Sequence, residues 1–173
     1  MSSPASQRIT TRIKLADADA TAALGARLHH CLLAGDVLLL SGPIGAGKSH
    51  FARALIAALL ADAGLVEDIP SPTFTLVQTY VANGLEIWHA DLYRLGNLDE
   101  VYELGLIGAF DTALCLVEWP DRLQGACPAR SIHLDFAQGD REQARRLTIS
   151  AQPPEWSRIC VAFDGLAGDA THD

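Results

Sequence analysis

The stretch 37-VLLLSGPIGAGKSHFARALIAALL-60 decides the fold. Its first residues form a short, wholly apolar run, which is typical of a strand buried on both faces of a parallel sheet. A glycine-rich segment, 42–47, follows at once. The residues after it predict a helix from 48 to 62 that ends at Gly64. A strand, a glycine-rich turn and a helix in this order indicate a layered α/β domain.

The turn between this strand and this helix carries a phosphate-binding motif, G-x-x-x-x-G-K-[ST], at residues 42–49. Its glycines let successive backbone N–H groups point at an anion, and the helix N-terminus adds the positive end of its dipole. Lys48 supplies a point charge for the phosphates, and Ser49 offers a hydroxyl ligand to Mg²⁺. A glycine turn without a ligand is the alternative. We expect ATP or ADP to be bound by Gly42, Pro43, Ile44, Gly45, Ala46, Gly47, Lys48, Ser49 and His50.

Two acidic residues stand at the ends of strand-like segments. Glu118 closes "LCLVE" and Asp91 closes "IWHAD". A phosphate-binding loop needs an acid on a neighbouring strand to hold Mg²⁺ or its water shell. The motif favours Glu118, together with Ser49, as the metal-holding group, whereas for Asp91 a solvated strand end is an equal alternative. His89 lies two residues before Asp91, a spacing that places both on one side of a strand.

Thr73 is a further candidate catalytic residue. It ends the proline-containing loop 65–73, within "SPTF", between the predicted helix and the next strand. Loops in this position often carry a sensor for the γ-phosphate. A turn stabilised by Ser71 and the two prolines is the equal alternative.

The composition limits the classes of function. The chain has 173 residues, 49% of them hydrophobic, and a net charge of −8. A protein that grips nucleic acid alone usually presents a basic face, so independent tight binding of RNA or DNA is disfavoured. The four cysteines lack zinc-ligand spacing, so reduced thiols are expected. The N-terminus lacks the pattern of a secretory signal and the apolar runs are short, which predicts a cytoplasmic protein without a membrane partner.

The remaining patterns predict how the chain is arranged. Alternating residues predict a strand over 9–15, and a helix of roughly 18–33 follows and ends at Gly35. Strand-like segments flank "VANG", and a second pair flanks "QGDREQA", so two antiparallel connections are expected.

These elements together indicate a three-layer α/β P-loop NTPase fold. Its central sheet is expected to be mixed and mainly parallel, with antiparallel hairpin additions. Residues 1–150 are predicted to form a single P-loop ATPase domain. Residues 151–173 are predicted to form a C-terminal extension whose end is disordered.

Five stretches together resemble the bacterial tRNA threonylcarbamoyladenosine biosynthesis ATPases, the TsaE family. They are "GPIGAGKS", "SPTFTLVQTY", "HADLYRL", "ELGL" and "LVEWPDRL", which lie within residues 36–123 in the order and spacing of that family. The first is generic among nucleotide-binding proteins. The combination of "SPTF", "DLYRL" and "EWP" is highly specific.

The resemblance implies an ATPase that helps a partner complex attach a threonylcarbamoyl group to the tRNA adenosine beside the anticodon. The implied partners are the TsaB and TsaD proteins, and tRNA is reached only through them. The resemblance assigns Ser49 and Glu118 to Mg²⁺ and makes Asp91 and Thr73 important for hydrolysis. It places Trp119 beside the nucleotide.

Two other functions stay open at this point. A small-molecule P-loop kinase needs an arginine-bearing lid, for which Arg141, Arg145 and Arg146 are available, although their segment reads better as a hairpin. A non-catalytic nucleotide-sensing scaffold would bind ATP without turnover. For an ATPase we expect slow basal turnover that a partner complex stimulates, because the sequence shows no evident arginine finger; Arg94 is the nearest candidate by motif.

Overall fold

The computed structural model of the protein describes residues 7–171. The described strands are β1 (Ile9–Leu15), β2 (Val37–Ser41), β3 (Val77–Ala82), β4 (Leu85–Asp91), β5 (Leu114–Glu118), β6 (Ile132–Gln138), β7 (Arg145–Ala151) and β8 (Ala167–Thr171). The described α-helices are α1 (Ala18–Leu28), α2 (Lys48–Asp62), α3 (Leu98–Glu103), α4 (Leu106–Ala109) and α5 (Pro153–Ile159), and short 3₁₀ turns lie at His29–Cys31, Pro120–Ala126 and Cys160–Phe163. None of the helices in this range combines the length and the apolar character that crossing a membrane requires.

The strands form one mixed sheet in the order β3-β4-β5-β2-β6-β7-β1-β8. The four central strands, β4, β5, β2 and β6, are parallel. Antiparallel pairing adds β3 at one edge and β7, β1 and β8 at the other. This arrangement confirms the predicted α/β fold with a parallel centre and antiparallel additions. The β3–β4 connection is a tight turn in which Asn83 and Gly84 have positive φ, as expected of a two-residue hairpin.

The sheet lies between two apolar layers, which confirms the three-layer architecture. Residues of β2 alternate between them: Leu38 and Leu40 belong to one buried cluster, and Val37 and Leu39 belong to the other. The first cluster packs against α1, α2 and α5, and the second packs against α3 and α4. Because β2 is covered on both faces, its sequence is apolar throughout rather than alternating.

Helix α1 is shorter than predicted. It begins at the N-cap Asp17, whose Oδ1 accepts a hydrogen bond from the N–H of Ala20 at 2.9 Å. It ends at Leu28 instead of residue 33, because His29–Cys31 tighten into a 3₁₀ turn. Gly25 lets α1 approach α2 closely, since a Cβ there would lie 2.9 Å from the carbonyl oxygen of Phe51.

The C-terminal segment, predicted as an extension, forms a helix and a strand that pack onto the domain. Pro153 starts α5, as proline does at the first turn of a helix, and Ile159 and Phe163 are buried in the first core cluster. The Arg158 guanidinium donates to both carboxylate oxygens of Asp36, at 2.8 and 2.9 Å. Strand β8 pairs with β1. Residues 152–171 thus pack onto the same sheet as 7–151. The last two residues of the extension predicted to have a disordered end, 172 and 173, lie outside the described residues.

Candidate functional site

The glycine-rich loop leaves β2 at Gly42 and enters α2 at Lys48. Gly42 has a φ of 136°, and a Cβ added there would lie under 3.0 Å from the carbonyl oxygen of Phe136 on β6. Gly47 has a φ of 103° at the N-cap of α2. Both positions therefore require glycine, one for contact with the sheet and one for the turn into the helix. The loop follows a parallel strand at its carboxyl end, where α/β folds bind ligands.

The Lys48 side chain folds back over the loop. Its Nζ donates to the carbonyl oxygens of Gly42 and Pro43, the latter at 2.9 Å, and lies 4.2 Å from the ring centroid of Trp119. Burial lowers the pKa of Lys48, and the carboxylate of Glu118 acts in the opposite direction. Lys48 is thus a partly desolvated cation that the loop and a neighbouring acid hold in place.

A buried chain of hydrogen bonds joins α2 to two strands of the sheet. The Ser49 hydroxyl donates to Glu118 Oε1 at 2.7 Å, and His89 Nε2 donates to Glu118 Oε2 at 2.8 Å. Glu118 is 2% exposed and His89 is fully buried. The second ring nitrogen of His89, Nδ1, has no hydrogen-bond partner among the described residues. Both oxygens of Glu118 are therefore oriented before any ligand arrives.

Asp91 lies directly beside Glu118, because the two residues are paired in register at the ends of parallel strands β4 and β5. Its Oδ1 accepts a hydrogen bond from the backbone N–H of Tyr93 at 3.0 Å. Its Oδ2 lies 3.5 Å from the hydroxyl of Thr73, at the outer limit of a hydrogen bond. The loop that carries Thr73 thus reaches the acid from the other side of the site.

Trp119 covers the same site from above the Lys48 ammonium. Its backbone is left-handed, with φ 59° and ψ 55°, which is uncommon for a bulky residue. This conformation lets the indole turn away from β5 directly after Glu118. The ring centroid lies 4.8 Å from that of Tyr93.

A cavity of about 440 Å³ brings most of the predicted residues together. The predicted residues in its wall are Ile44, Gly45, Ala46, Gly47, Lys48, Ser49, His50, Thr73, Asp91, Glu118 and Trp119, and Tyr93 joins them. Among the described residues, the predicted Gly42 and Pro43 contribute carbonyl oxygens to Lys48 rather than cavity wall. The cavity therefore combines one cation, two carboxylates, two aliphatic hydroxyls and one phenol at the start of α2.

A second cavity, of about 390 Å³, lies against the same loop. Thr21 of α1, His50 and residues 45–47 line it, as do Glu142 and Arg145 near the β6–β7 turn. Arg145 donates to the carbonyl oxygen of Gly45 at 3.1 Å. The predicted hairpin is present here, and Arg145 contacts the phosphate-binding loop instead of forming a lid.

Three contributors to the site were not among the predicted site residues. His89 had a signal in the sequence, since it is two residues before Asp91 on one strand, but its contact with Glu118 depends on strand order. Tyr93 had no such signal, and Arg145 had been considered only as part of a lid. Arg94, the nearest arginine by motif, lies with its guanidinium carbon 5.6 Å from the ring centroid of Phe74.

The sequence was also compared with those of known proteins. The sequence profile of the family described as "Threonylcarbamoyl adenosine biosynthesis protein TsaE" matches residues 15–147. A Rickettsia felis protein named tRNA threonylcarbamoyladenosine biosynthesis protein TsaE is 40% identical over 134 residues, which are 76% of this chain and 77% of that protein. A protein of the same name from Rickettsia conorii is 43% identical over 101 residues, which are 58% of this chain and 56% of that protein.

The fold has a solved counterpart as well. The crystal structure of YdiB from Bacillus subtilis superimposes with a TM-score of 0.68, covering 90% of this chain and 95% of that chain at 24% sequence identity. The likeness supports the same overall fold. The profile match extends over most of the chain and includes the loop, both strand-end acids and Trp119. The chain therefore belongs to the TsaE family of threonylcarbamoyl adenosine biosynthesis proteins.

Proposed function

We propose that this protein binds ATP and hydrolyses it with Mg²⁺. The observation that carries the proposal is the junction at the start of α2, where Ser49 donates to Glu118 at 2.7 Å in the same cavity wall as Lys48. A loop of backbone N–H groups, one lysine, one hydroxyl and one carboxylate are the groups that nucleotide triphosphate sites use. Membership of the TsaE family also supports a nucleotide-dependent role.

The donor atoms fit Mg²⁺, which prefers hard oxygen ligands. The Ser49 hydroxyl and a Glu118 oxygen would hold the ion directly or through its water shell. Bound there, Mg²⁺ would neutralise charge on the phosphates. Lys48 would leave the carbonyl oxygens of Gly42 and Pro43 to contact the phosphates, and the loop N–H groups would hold the remaining oxygens.

Asp91 and Thr73 would act on the hydrolytic step. Asp91 is held through Oδ1 by the N–H of Tyr93, and its Oδ2 has only the 3.5 Å approach of the Thr73 hydroxyl within the described residues. That oxygen is therefore available to orient a water. The Thr73 hydroxyl, which shares a 2.8 Å hydrogen bond with the Ser71 hydroxyl, would exchange this contact for a terminal phosphate. His89 acts as a positioning residue that keeps Glu118 in place.

The second cavity supports a path for the nucleoside. The acids lie in the 440 Å³ cavity, so the terminal phosphate would sit there. Residues 45–47 and His50 also line the cavity on the Arg145 side, into which ribose and base would extend. We place Trp119 beside the phosphate end of the nucleotide rather than beside the base.

The family role extends the proposal from the nucleotide to a pathway. This protein would be an accessory ATPase for threonylcarbamoylation of the tRNA adenosine next to the anticodon, acting on a TsaB–TsaD complex in the cytoplasm. A net charge of −8 disfavours direct grip on tRNA and favours contact with tRNA only through that complex. Basal turnover would be slow until the partner orders the Thr73 loop or supplies a cation.

The test measures nucleotide affinity and phosphate release with and without the partner complex. Lys48→Ala should abolish turnover and weaken ATP binding, while Lys14→Ala, which removes the chain's exposed second lysine, should behave as wild type. Glu118→Gln should reduce Mg²⁺-dependent turnover by about 10²–10³-fold, the typical loss when one transition-state contact is removed. Glu103→Gln, at an exposed carboxylate, is its control.

Three outcomes would separate the alternatives. Unchanged turnover in Lys48→Ala would refute the assignment of the loop. ATP binding without turnover in the assembled complex would indicate a nucleotide-sensing scaffold. Transfer of phosphate to a small acceptor, rather than its release, would indicate a kinase.

A further inference from the structure

Three metal-ligating side chains meet at the end of α2 that is remote from the phosphate-binding loop. His29 and His30 follow α1, and Asp62 is the last residue of α2. His29 Nε2 lies 2.9 Å and His30 Nδ1 lies 3.8 Å from Asp62 Oδ2. One ligand atom from each residue lies within 4.8 Å of the others. Since α2 has 15 residues, roughly 22 Å separates this cluster from Lys48.

The hydrogen bond on the other side of the His29 ring determines what the cluster can bind. His29 Nδ1 contacts the backbone carbonyl oxygen of Ala26, and a carbonyl can only accept, so Nδ1 carries the proton. In the neutral ring Nε2 then has a lone pair, yet it faces a carboxylate oxygen at 2.9 Å. Two acceptors at this distance require a cation between or beside them, either a proton on Nε2 or a metal ion.

The dimensions of the cluster fit a metal ion. Zinc–nitrogen and zinc–oxygen bonds of about 2.0–2.1 Å place neighbouring ligands of a tetrahedral site about 3.3 Å apart. The two measured separations from Asp62 Oδ2, 2.9 and 3.8 Å, lie on either side of that value. A ligating histidine usually donates its second N–H to a backbone carbonyl, and His29 does so to Ala26.

The electrostatic setting also favours a cation. Asp62 ends α2, so the negative end of the helix dipole lies at the cluster. His30 and Asp62 have side chains that are 69% and 53% exposed, which leaves a path for an ion from solvent, while His29 is 10% exposed and anchors the site. Two imidazoles and one carboxylate suit Zn²⁺ and similar borderline ions better than Mg²⁺ or Ca²⁺.

We propose that His29 Nε2, His30 Nδ1 and Asp62 Oδ2 form a site for one borderline divalent transition-metal ion of the Zn²⁺ class. Water completes its coordination. The ion joins the chain after α1 to the end of α2, the helix that carries Lys48 and Ser49, and so stabilises the pair of helices behind the phosphate-binding loop.

The test uses full-length protein, with its affinity tag removed and metal stripped by a chelator, titrated with ZnCl₂ at pH 7.5 without nucleotide. We expect one ion per chain, a rise in the melting temperature, and no displacement by excess Mg²⁺. Asp62→Asn and His30→Ala should each weaken binding at least tenfold, because losing even an outer-shell partner of a metal typically costs about 10–100-fold in affinity. Asp68→Asn, an exposed acid six residues farther along, is the matched control.

Cobalt spectroscopy distinguishes this site from adventitious binding at the four free cysteines. Co²⁺ at the proposed site should give visible d–d bands without a thiolate charge-transfer band. The proposal is overturned if wild-type protein binds no zinc, which would leave His29 and Asp62 as a proton-bridged pair. It is equally overturned if binding survives in both Asp62→Asn and His30→Ala. Zinc binding should persist in Lys48→Ala, so the outcome of the zinc test does not depend on the assignment of the nucleotide site.

Discussion

Replacing Gly42 by alanine tests whether the phosphate-binding loop is fixed by its contact with the sheet. The added methyl group would meet the backbone carbonyl of Phe136 at under 3.0 Å and its Cβ at 3.1 Å. Neither atom is the end of a flexible side chain, so β2 or β6 must shift. Gly45→Ala provides the comparison, because its φ of 77° is also positive but no described atom lies within 4 Å of the added Cβ.

The two substitutions differ mainly in this collision. A positive φ at a non-glycine residue costs about 1–3 kcal/mol at either position. Overpacking against fixed neighbours adds about 1–3 kcal/mol at Gly42 alone. Replacing glycine by alanine lowers the conformational entropy of the unfolded chain to a similar extent at both positions, so this contribution cancels in the comparison. Gly42→Ala should therefore destabilise the protein by about 2–6 kcal/mol, and Gly45→Ala by about 1–3 kcal/mol.

Urea unfolding at 25 °C, followed by circular dichroism, measures both free energies of unfolding. Equal m-values would show that the comparison concerns the folded state. Gly42→Ala should also weaken nucleotide binding, because a shift of β2 away from Phe136 would displace the loop N–H groups that are proposed to hold the phosphates. If the two variants lose the same free energy, within about 0.5 kcal/mol, the loop is not held by β6 and the explanation of this glycine is wrong.

Three further predictions address other parts of the molecule. Trp119→Phe should remove most of the fluorescence response to nucleotide, and an unchanged response would place the indole away from the site. Burial raises the pKa of Cys115 to about 12, whereas Cys127, whose pKa burial also raises, is only half-buried. Alkylation at pH 8 should therefore reach Cys127 before Cys115, and mass spectrometry of the digested protein can check this order. Arg158→Ala should lower the free energy of unfolding in urea by about 2 kcal/mol, between the values for exposed and buried ion pairs, and no loss would show that Asp36 is satisfied without it.

The sequence was most informative where local pattern and chemistry coincide. Strand β2 and helix α2 lie where the apolar run and the glycine motif predicted them. Asp91 and Glu118 were expected at strand ends, and parallel pairing puts them side by side. These features depend on periodicity and on the geometry of parallel strands, which a short window of residues already specifies.

Other features depend on contacts between distant parts of the chain. No local pattern marked the early end of helix α1, because His29–Cys31 remain helical in the tighter 3₁₀ form. Residues 151–173 were predicted only as an extension, and no local pattern indicated that Arg158 pairs with Asp36 across the domain. The bond from His89 to Glu118 required β4 to lie beside β5. Strand order and long-range ion pairs are not encoded in local periodicity.

The left-handed backbone of Trp119 has a consequence for selection. A bulky residue held at φ 59° costs about 1–3 kcal/mol, whereas glycine adopts this conformation freely and asparagine tolerates it. A population selected only for heat resistance should therefore drift toward glycine or asparagine at this position. A population that must also respond to nucleotide should keep tryptophan, because its ring contacts the Lys48 ammonium and Tyr93. At residue 119, selection for thermal stability and selection for the response to nucleotide thus favour different amino acids.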